Sequence, residues 1–223
     1  MGILYIVATP IGNLEDVSKR ALRILSEVDL ILCEDTRVTK TLLDRYEIRT
    51  RTMSYHQHTE IKKVEEIASL LKNGKNIALV SDAGTPGISD PGNKLIAELI
   101  KARPQSITAV PVPGPSALTA AASIAGFSMD RFVFLGFPPV KRKRKKFFAE
   151  AVSTKYPVIF YESPYRIIKT IKEIDLLTER KIVVCRELTK KFETIYRGSA
   201  KDVLAELAKD KIRGEFVVIV GDK

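Results

Sequence analysis

The stretch Asn76-Ile77-Ala78-Leu79-Val80-Ser81-Asp82-Ala83-Gly84-Thr85-Pro86-Gly87-Ile88-Ser89-Asp90-Pro91-Gly92 decides the fold. Asn76 to Val80 reads as a short strand, and the helical spacing of Lys94 to Lys101 follows the loop. The glycines, prolines and aspartates of Ser81 to Gly92 therefore stand at the carboxyl end of a strand in a strand-loop-helix unit. Ligands in open α/β sheets bind at that edge. Glycine lets backbone amides approach a ligand closely, proline stiffens the loop, and an aspartate accepts from a hydroxyl or ammonium group. Capping of the next helix by Asp90 or Ser89 is the simpler reading, and it accounts for one or two of these residues.

Upstream, the same alternation recurs. Ile3 to Ala8 reads as a strand, Glu15 to Ser26 as a helix through Val17, Ala21, Leu22 and Leu25, and Asp29 to Cys33 as a second strand. Val38 to Arg45 and Thr59 to Lys72 have helical spacing, and Ser106 to Val110 is a further strand. The succession predicts a largely parallel sheet covered by helices. Pro111-Val112-Pro113-Gly114-Pro115 continues neither a helix nor a central strand, and marks the boundary between a first α/β domain, residues 1–112, and a second, residues 113–223. In the second half a helix is expected at Ser116 to Ala125 and at Tyr165 to Ile174. Strands are expected at Arg131 to Leu135, Val158 to Tyr161 and Lys181 to Arg186. Glu193 to Arg197 and Glu215 to Val220, flanking a helix at Lys201 to Leu207, read as antiparallel strands of a mixed sheet.

Composition sets the class of partner. The 223 residues carry 37 Lys and Arg against 27 Asp and Glu, a formal charge of +10, with 45% apolar residues. That apolar fraction supports a buried core and excludes a mainly disordered chain. The basic excess favours an anionic partner, nucleic acid before lipid. Cys33 and Cys185 form no CxxC pair, which argues against a disulfide scaffold and a structural zinc and fits a reducing cytosol. Met1 leads straight into the strand-like Ile3 to Val7, with no basic n-region and no small-residue cleavage site, so a secretory signal is not expected. Pro104 to Met129 is 26 residues without a charge, but its central prolines and glycine make it a buried strand, a turn and a buried helix rather than a membrane span.

Further candidates lie at other strand ends. Ala8-Thr9-Pro10-Ile11-Gly12-Asn13 is a strand-to-helix turn with Asn13 as an N-cap candidate. The chain has neither GxGxxG nor GxxxxGK[ST], so a dinucleotide fingerprint and a P-loop are unsupported. In Glu34-Asp35-Thr36-Arg37, Asp35 or Thr36 caps a helix, or the carboxylates and guanidinium face a substrate. His56 and His58 have no third partner nearby for a metal and are candidates for an RNA-facing role. Lys141 to Lys146 are six consecutive basic residues running into Phe147-Phe148. They form either a solvated helix face or a phosphate contact. If all six engaged phosphates, log affinity would fall on log salt with a slope of about −4 to −5.

Taken together, the sequence resembles the tetrapyrrole methylase superfamily, in its branch of bacterial 16S ribosomal RNA cytidine 2′-O-methyltransferases. The resemblance rests on Ala8 to Leu14, Glu34 to Arg37, Ser81 to Gly92, Pro113-Gly114-Pro115-Ser116-Ala117, Tyr161-Glu162-Ser163-Pro164-Tyr165-Arg166, Arg186-Glu187-Leu188-Thr189-Lys190 and Gly214-Glu215-Phe216. It implies two α/β domains, a cytoplasmic homodimer, and S-adenosyl-L-methionine in a cleft between the domains. It places cofactor contacts at Pro10, Ile11, Asp82, Gly84, Thr85, Ser116, Ala117, Phe160 and Tyr161, with Leu188 and Thr189 as weaker candidates. Glu34, Asp35 and Arg37, or Glu162 with Arg166, become the catalytic candidates on the substrate side, and no metal is required. The implied substrate is a cytidine in the decoding region of 16S rRNA within the small ribosomal subunit. Relatives continue past the Gly-Glu-Phe strand with a helical extension, whereas this sequence ends at Lys223; RNA affinity is then expected from the basic run, the dimer's combined surface, or both. Methylation of a tetrapyrrole or other small molecule, and RNA binding without catalysis, are the competing readings.

Overall fold

The computed structural model describes residues 1–55, 61–90, 92–102 and 108–222. The chain divides into two compact units, Met1–Ser116 and Ala117–Lys223, so the proline turn stays with the first. His56 and His58 lie outside the described residues.

The first unit runs β1 (Ile3–Val7), a 3-10 turn (Leu14–Asp16), α1 (Lys19–Glu27), β2 (Leu30–Cys33), α2 (Thr36–Arg45), β3 (Thr52–Ser54), α3 (Ile61–Lys72), β4 (Ile77–Leu79), α4 (Gly92–Ala102) and β5 (Thr108–Val112). Its sheet has the order β3-β2-β4-β1-β5, with every pairing parallel. β2 is buried along its whole length, as a strand covered on both faces must be. Strand alternation then sorts its residues into two layers. Ile31 and Cys33 pack with Ala21, Ile24 and Leu25 of α1 and Leu42 and Leu43 of α2. Leu30 and Leu32 pack with Ile67 and Leu71 of α3 and Leu95 and Leu99 of α4.

Three details differ from the sequence reading. α1 begins only at Lys19, because the Ser18 hydroxyl accepts from the Ala21 amide, while Asn13 caps the preceding 3-10 turn instead. Pro111 lies inside β5 rather than beyond it. β5 pairs only with β1 at the sheet edge, where a missing N–H costs no ladder bond. For the same reason β5 is largely exposed rather than buried.

The second unit comprises α5 (Ala117–Ser123), β6 (Val133–Phe134), α6 (Arg144–Ser153), β7 (Val158–Glu162), α7 (Ile167–Asp175), β8 (Ile182–Arg186), β9 (Thr194–Gly198), α8 (Ala200–Leu207) and β10 (Phe216–Val220). Its sheet is mixed, in the order β6-β7-β10-β8-β9; only β6 and β7 are parallel. β10 is buried at every residue. Val158 and Phe160 of β7 join Phe216, Val218 and Val220 of β10 beneath Phe148, Ile167, Ile171 and Val203 of the helices. On the other face α5 packs against β7 and β10.

Candidate functional site

Because the first sheet is parallel, the loops that follow β1, β2, β4 and β5 gather at one edge. The Ser81 to Asp90 loop is bonded to each of the other three. Thr9 and Gly84 exchange backbone bonds, the Thr9 amide donating to Gly84 at 2.9 Å and the Gly84 amide to Thr9 at 3.0 Å. The Thr9 hydroxyl also donates to the Ser81 carbonyl at 3.2 Å. Asp82 Oδ1 accepts from the Asp35 amide at 2.9 Å, and Thr85 Oγ1 donates to the Pro115 carbonyl at 3.2 Å. Asp90 Oδ1 accepts from the amides of Gly87 at 2.7 Å and Gly92 at 2.8 Å, securing the far end of the loop against α4. Asp90 thus ties the loop to the start of α4, while Asp82, Gly84 and Thr85 tie it to the three neighbouring turns.

Gly84 has φ +81°, and a Cβ there would stand 3.4 Å from Ile11 Cγ2. Gly114 is needed for another reason, since a Cβ on it would approach Ala8 Cβ to 3.0 Å. These two close approaches seat the turns after β1, β4 and β5 against one another. Pro10 and Ile11 are buried, Thr85, Ser116 and Ala117 are half-buried, and Asp82 is exposed. The edge therefore presents an acidic side chain and backbone over an apolar floor.

Asp35 is the N-cap of α2. Its carboxylate accepts from the Arg37 amide at 2.8 Å and from the Arg37 guanidinium at 2.6 Å. The Arg37 hydrogen bonds hold its carboxyl at about 2, far too acidic for an efficient proton acceptor at neutral pH. Arg37 itself is 88% exposed along its side chain. Glu34 is half-buried beside them.

In the second unit Glu162 has a completely buried side chain with both oxygens engaged. Oε1 accepts from the Ser163 amide at 2.8 Å and faces Arg166 Nη2 at 2.8 Å. Oε2 accepts from Thr170 Oγ1 at 2.5 Å and lies 3.5 Å from Arg144 Nη2. Arg144 also donates to Thr170 at 2.6 Å and to Glu173 at 2.8 Å, with its guanidinium over the Phe148 ring. The six-residue basic run is therefore not one solvated face: Arg144 is buried, and the other five are exposed. Lys143 caps α6 at φ +65° without a side-chain bond, and no acidic residue occupies the first turn. Cations there oppose the helix dipole, so helix stability does not account for them.

Strand alternation also separates Phe160 from Tyr161. The Phe160 ring is in the core against Phe147 and Phe148, leaving only backbone to a ligand. Tyr161 lies on the opposite face beside Phe134 and Phe137, and burial pushes its phenol up against an opposing hydrogen bond with the Leu118 backbone. The loop after β8 carries a group that sequence reasoning missed. Lys190 bridges Glu187 at 2.9 Å, three residues before it, and Glu215 at 2.8 Å, 25 residues beyond it, a partner that no local spacing announces. Glu187 (φ 51°) and Thr189 (φ 65°) both adopt left-handed backbone, unusual for a β-branched Thr. Among the described residues, no cluster of His, Cys, Asp and Glu could hold a metal, and no helix is long and apolar enough to cross a membrane.

Comparison with known proteins matches residues 3–204 to the family model of tetrapyrrole (corrin/porphyrin) methylases. The chain is 42% identical over 224 residues to the ribosomal RNA small subunit methyltransferase I of Thermotoga maritima, covering all of both proteins. It is 45% identical over 222 residues to the protein of that name in Bacillus subtilis, covering 99% of this chain and 75% of that one. Among solved structures, the methyltransferase CobJ matches with a TM-score of 0.73 at 20% identity, covering 100% of this chain and 95% of that one. A diphthine synthase matches with a TM-score of 0.75 at 15% identity, covering 99% and 90%. These two likenesses speak to the fold, and the family match with the full-length sequence identities speaks to descent: this chain belongs to the tetrapyrrole methylase family.

Proposed function

We propose that the protein transfers a methyl group from S-adenosyl-L-methionine to a cytidine ribose 2′-oxygen of small-subunit ribosomal RNA, working in the cytosol as a homodimer. The observation that carries this reading is the Ser81 to Asp90 loop, bonded to three neighbouring turns at the carboxyl edge of the first sheet. The relatives are named as methyltransferases of small-subunit ribosomal RNA, which supports that RNA as the methyl acceptor.

S-adenosyl-L-methionine supplies a methyl group activated by a positively charged sulfur. The donor set suits it: Asp82 and Asp90 lie in the loop, which has no Lys or Arg. Asp82 offers a carboxylate to a cationic or hydroxyl group, the backbone at Gly84 and Thr85 offers close approach, and Pro10 and Ile11 offer apolar contact. Ser116, Ala117, Tyr161 and the Phe160 backbone are the remaining candidates.

Holding the ribose oxygen at near-attack distance provides most of the acceleration for such a transfer. Asp35, ionised and capping α2, shapes the edge rather than taking the hydroxyl proton. Glu34 is the acidic group there for that proton, and Arg37 the cation for a phosphate. Glu162 and Arg166 act as positioning residues through the buried network. Incubation with tritiated S-adenosyl-L-methionine tests the reading: label should enter small ribosomal subunits and not precorrins. Label in precorrins alone would transfer the assignment to a small molecule.

A further inference from the structure

Tyr165, in the turn between β7 and α7, is 96% exposed, and Phe137, after β6, is 52% exposed. The backbone segments that carry them are tied together. The Tyr161 amide donates to the Gly136 carbonyl at 2.9 Å, and the Phe137 and Tyr161 rings are 5.4 Å apart. Arg166 donates to the Pro138 carbonyl at 3.0 Å and Arg144 to the Pro139 carbonyl at 3.3 Å. Both guanidiniums are themselves fixed by Glu162, so the segment carrying Phe137 is pinned to the turn carrying Tyr165. Directly after Pro139 come Val140, 68% exposed, and the basic run. Among the described residues, Lys141, Arg142, Lys143, Lys145 and Lys146 make no ion pair. The nearby carboxylates of Glu162 and Glu173 are taken up by Arg144 and Arg166.

Exposed aromatic rings carried on anchored backbone segments, with unpaired cations in the same segment, match the chemistry of single-stranded nucleic acid, whose bases stack on rings while phosphates meet Lys and Arg. We propose that Tyr165 and Phe137 form a base-stacking platform for unpaired RNA, with the five exposed cations of the Lys141 to Lys146 run tracking its backbone. The proposal rests on the reading that ribosomal RNA is the substrate, and names the part of the protein that grips it. Arg144 is the buried splint that couples the two segments. A duplex hides its base faces, so the platform distinguishes single strands from duplexes.

The test uses the full chain, a short fluorescein-labelled oligoribonucleotide, single-stranded or annealed to its complement, and no methyl donor. Tyr165→Ala should weaken single-strand binding about 5- to 150-fold, leave duplex binding and its salt slope unchanged, and leave S-adenosyl-L-methionine affinity unchanged. Tyr165→Phe and Tyr165→Trp should bind like the wild type. Equal single-strand affinity of wild type and Tyr165→Ala overturns the platform, as does equal loss in Tyr165→Phe, which would assign the hydroxyl rather than the ring. A change of oligomeric mass in Tyr165→Ala by sedimentation, or Tyr165-dependent binding to phosphatidylglycerol vesicles in place of RNA, also overturns it. A wild type that binds single strands through Tyr165 yet labels no ribosomal RNA overturns the catalytic reading alone.

Discussion

The carboxylate of Asp82 accepts the backbone N–H of Asp35 at 2.9 Å, across the edge shared by β4 and β2. One aspartate thus fixes the start of α2 through its geometry and offers negative charge through its chemistry. The two roles separate by substitution. Asp82→Asn keeps an acceptor oxygen for Asp35 and should leave the melting temperature nearly unchanged, yet weaken S-adenosyl-L-methionine binding at least tenfold by calorimetry. Asp82→Ala should weaken binding as much and lose about 1 kcal/mol of stability as well. That loss corresponds to a drop of about 2–4 °C in a chain of this size.

Gly84 and Gly126 both have positive φ, at +81° and +75°, but only Gly84 has neighbours within reach of an added Cβ. Alanine at either position should cost about 1–2 kcal/mol of backbone strain. Thermal unfolding should therefore show similar losses in Gly84→Ala and Gly126→Ala. Only Gly84→Ala should also lose cofactor affinity in the same calorimetric titration.

The network around Glu162 is a stability element with a steep cost of disruption. Removing Arg144 leaves a carboxylate with no exposed surface short of one cation, and breaking a buried pair in this way costs about 3–5 kcal/mol. Urea unfolding of Arg144→Met should register that loss, whereas Lys145→Met, on the exposed side of the same run, should unfold with the wild type.

Asp35 predicts an acid limb. Its carboxyl is lowered from 3.8 to about 2 by the Arg37 hydrogen bonds, so it contributes stability that is complete above 3.8 and lost as pH falls through about 2. Carbonyl-carbon NMR titration should place its midpoint near 2. Asp35→Asn, itself a good N-cap, should flatten the pH dependence of stability in that window while preserving α2.

Five exposed cations, rather than six, set the electrostatic contact. If all five meet phosphates, the salt slope is about −3.5 to −4.5. Changing Lys141, Arg142, Lys143 and Lys145 together to Ser should reduce the slope by about 3 units, without altering S-adenosyl-L-methionine affinity.

The strands that organise both sheets were legible because they are dense in aliphatic and aromatic residues: Ile77–Leu79, Val158–Glu162 and Phe216–Val220 fall where strands were expected, and all their residues but the half-buried Tyr161 are buried. β3, Thr52–Ser54, carries no comparable signal because an edge strand of three half-buried residues needs little apolar patterning. α6 is masked by the basic run at its start, and nothing local distinguishes Arg144 from its neighbours; its burial is decided by Glu162 and Thr170, 18 and 26 positions away. At the site, the density of Gly, Pro and Asp marked the loop, but not the bonds that Thr9, Asp35 and Pro115 make to it. Those depend on three strand ends meeting, which is a property of the sheet order. The same holds for Phe160 and Tyr161, adjacent in sequence and sent to opposite faces by the strand.

The central claim is methyl transfer to a cytidine ribose of the small-subunit RNA, and mass-spectrometric mapping of 2′-O-methyl groups on that RNA from a deletion strain tests it most directly. The account predicts that one cytidine of the decoding region loses its ribose methyl and regains it with the wild-type protein but not with Asp82→Asn. An unchanged methylation map in the deletion strain would contradict it.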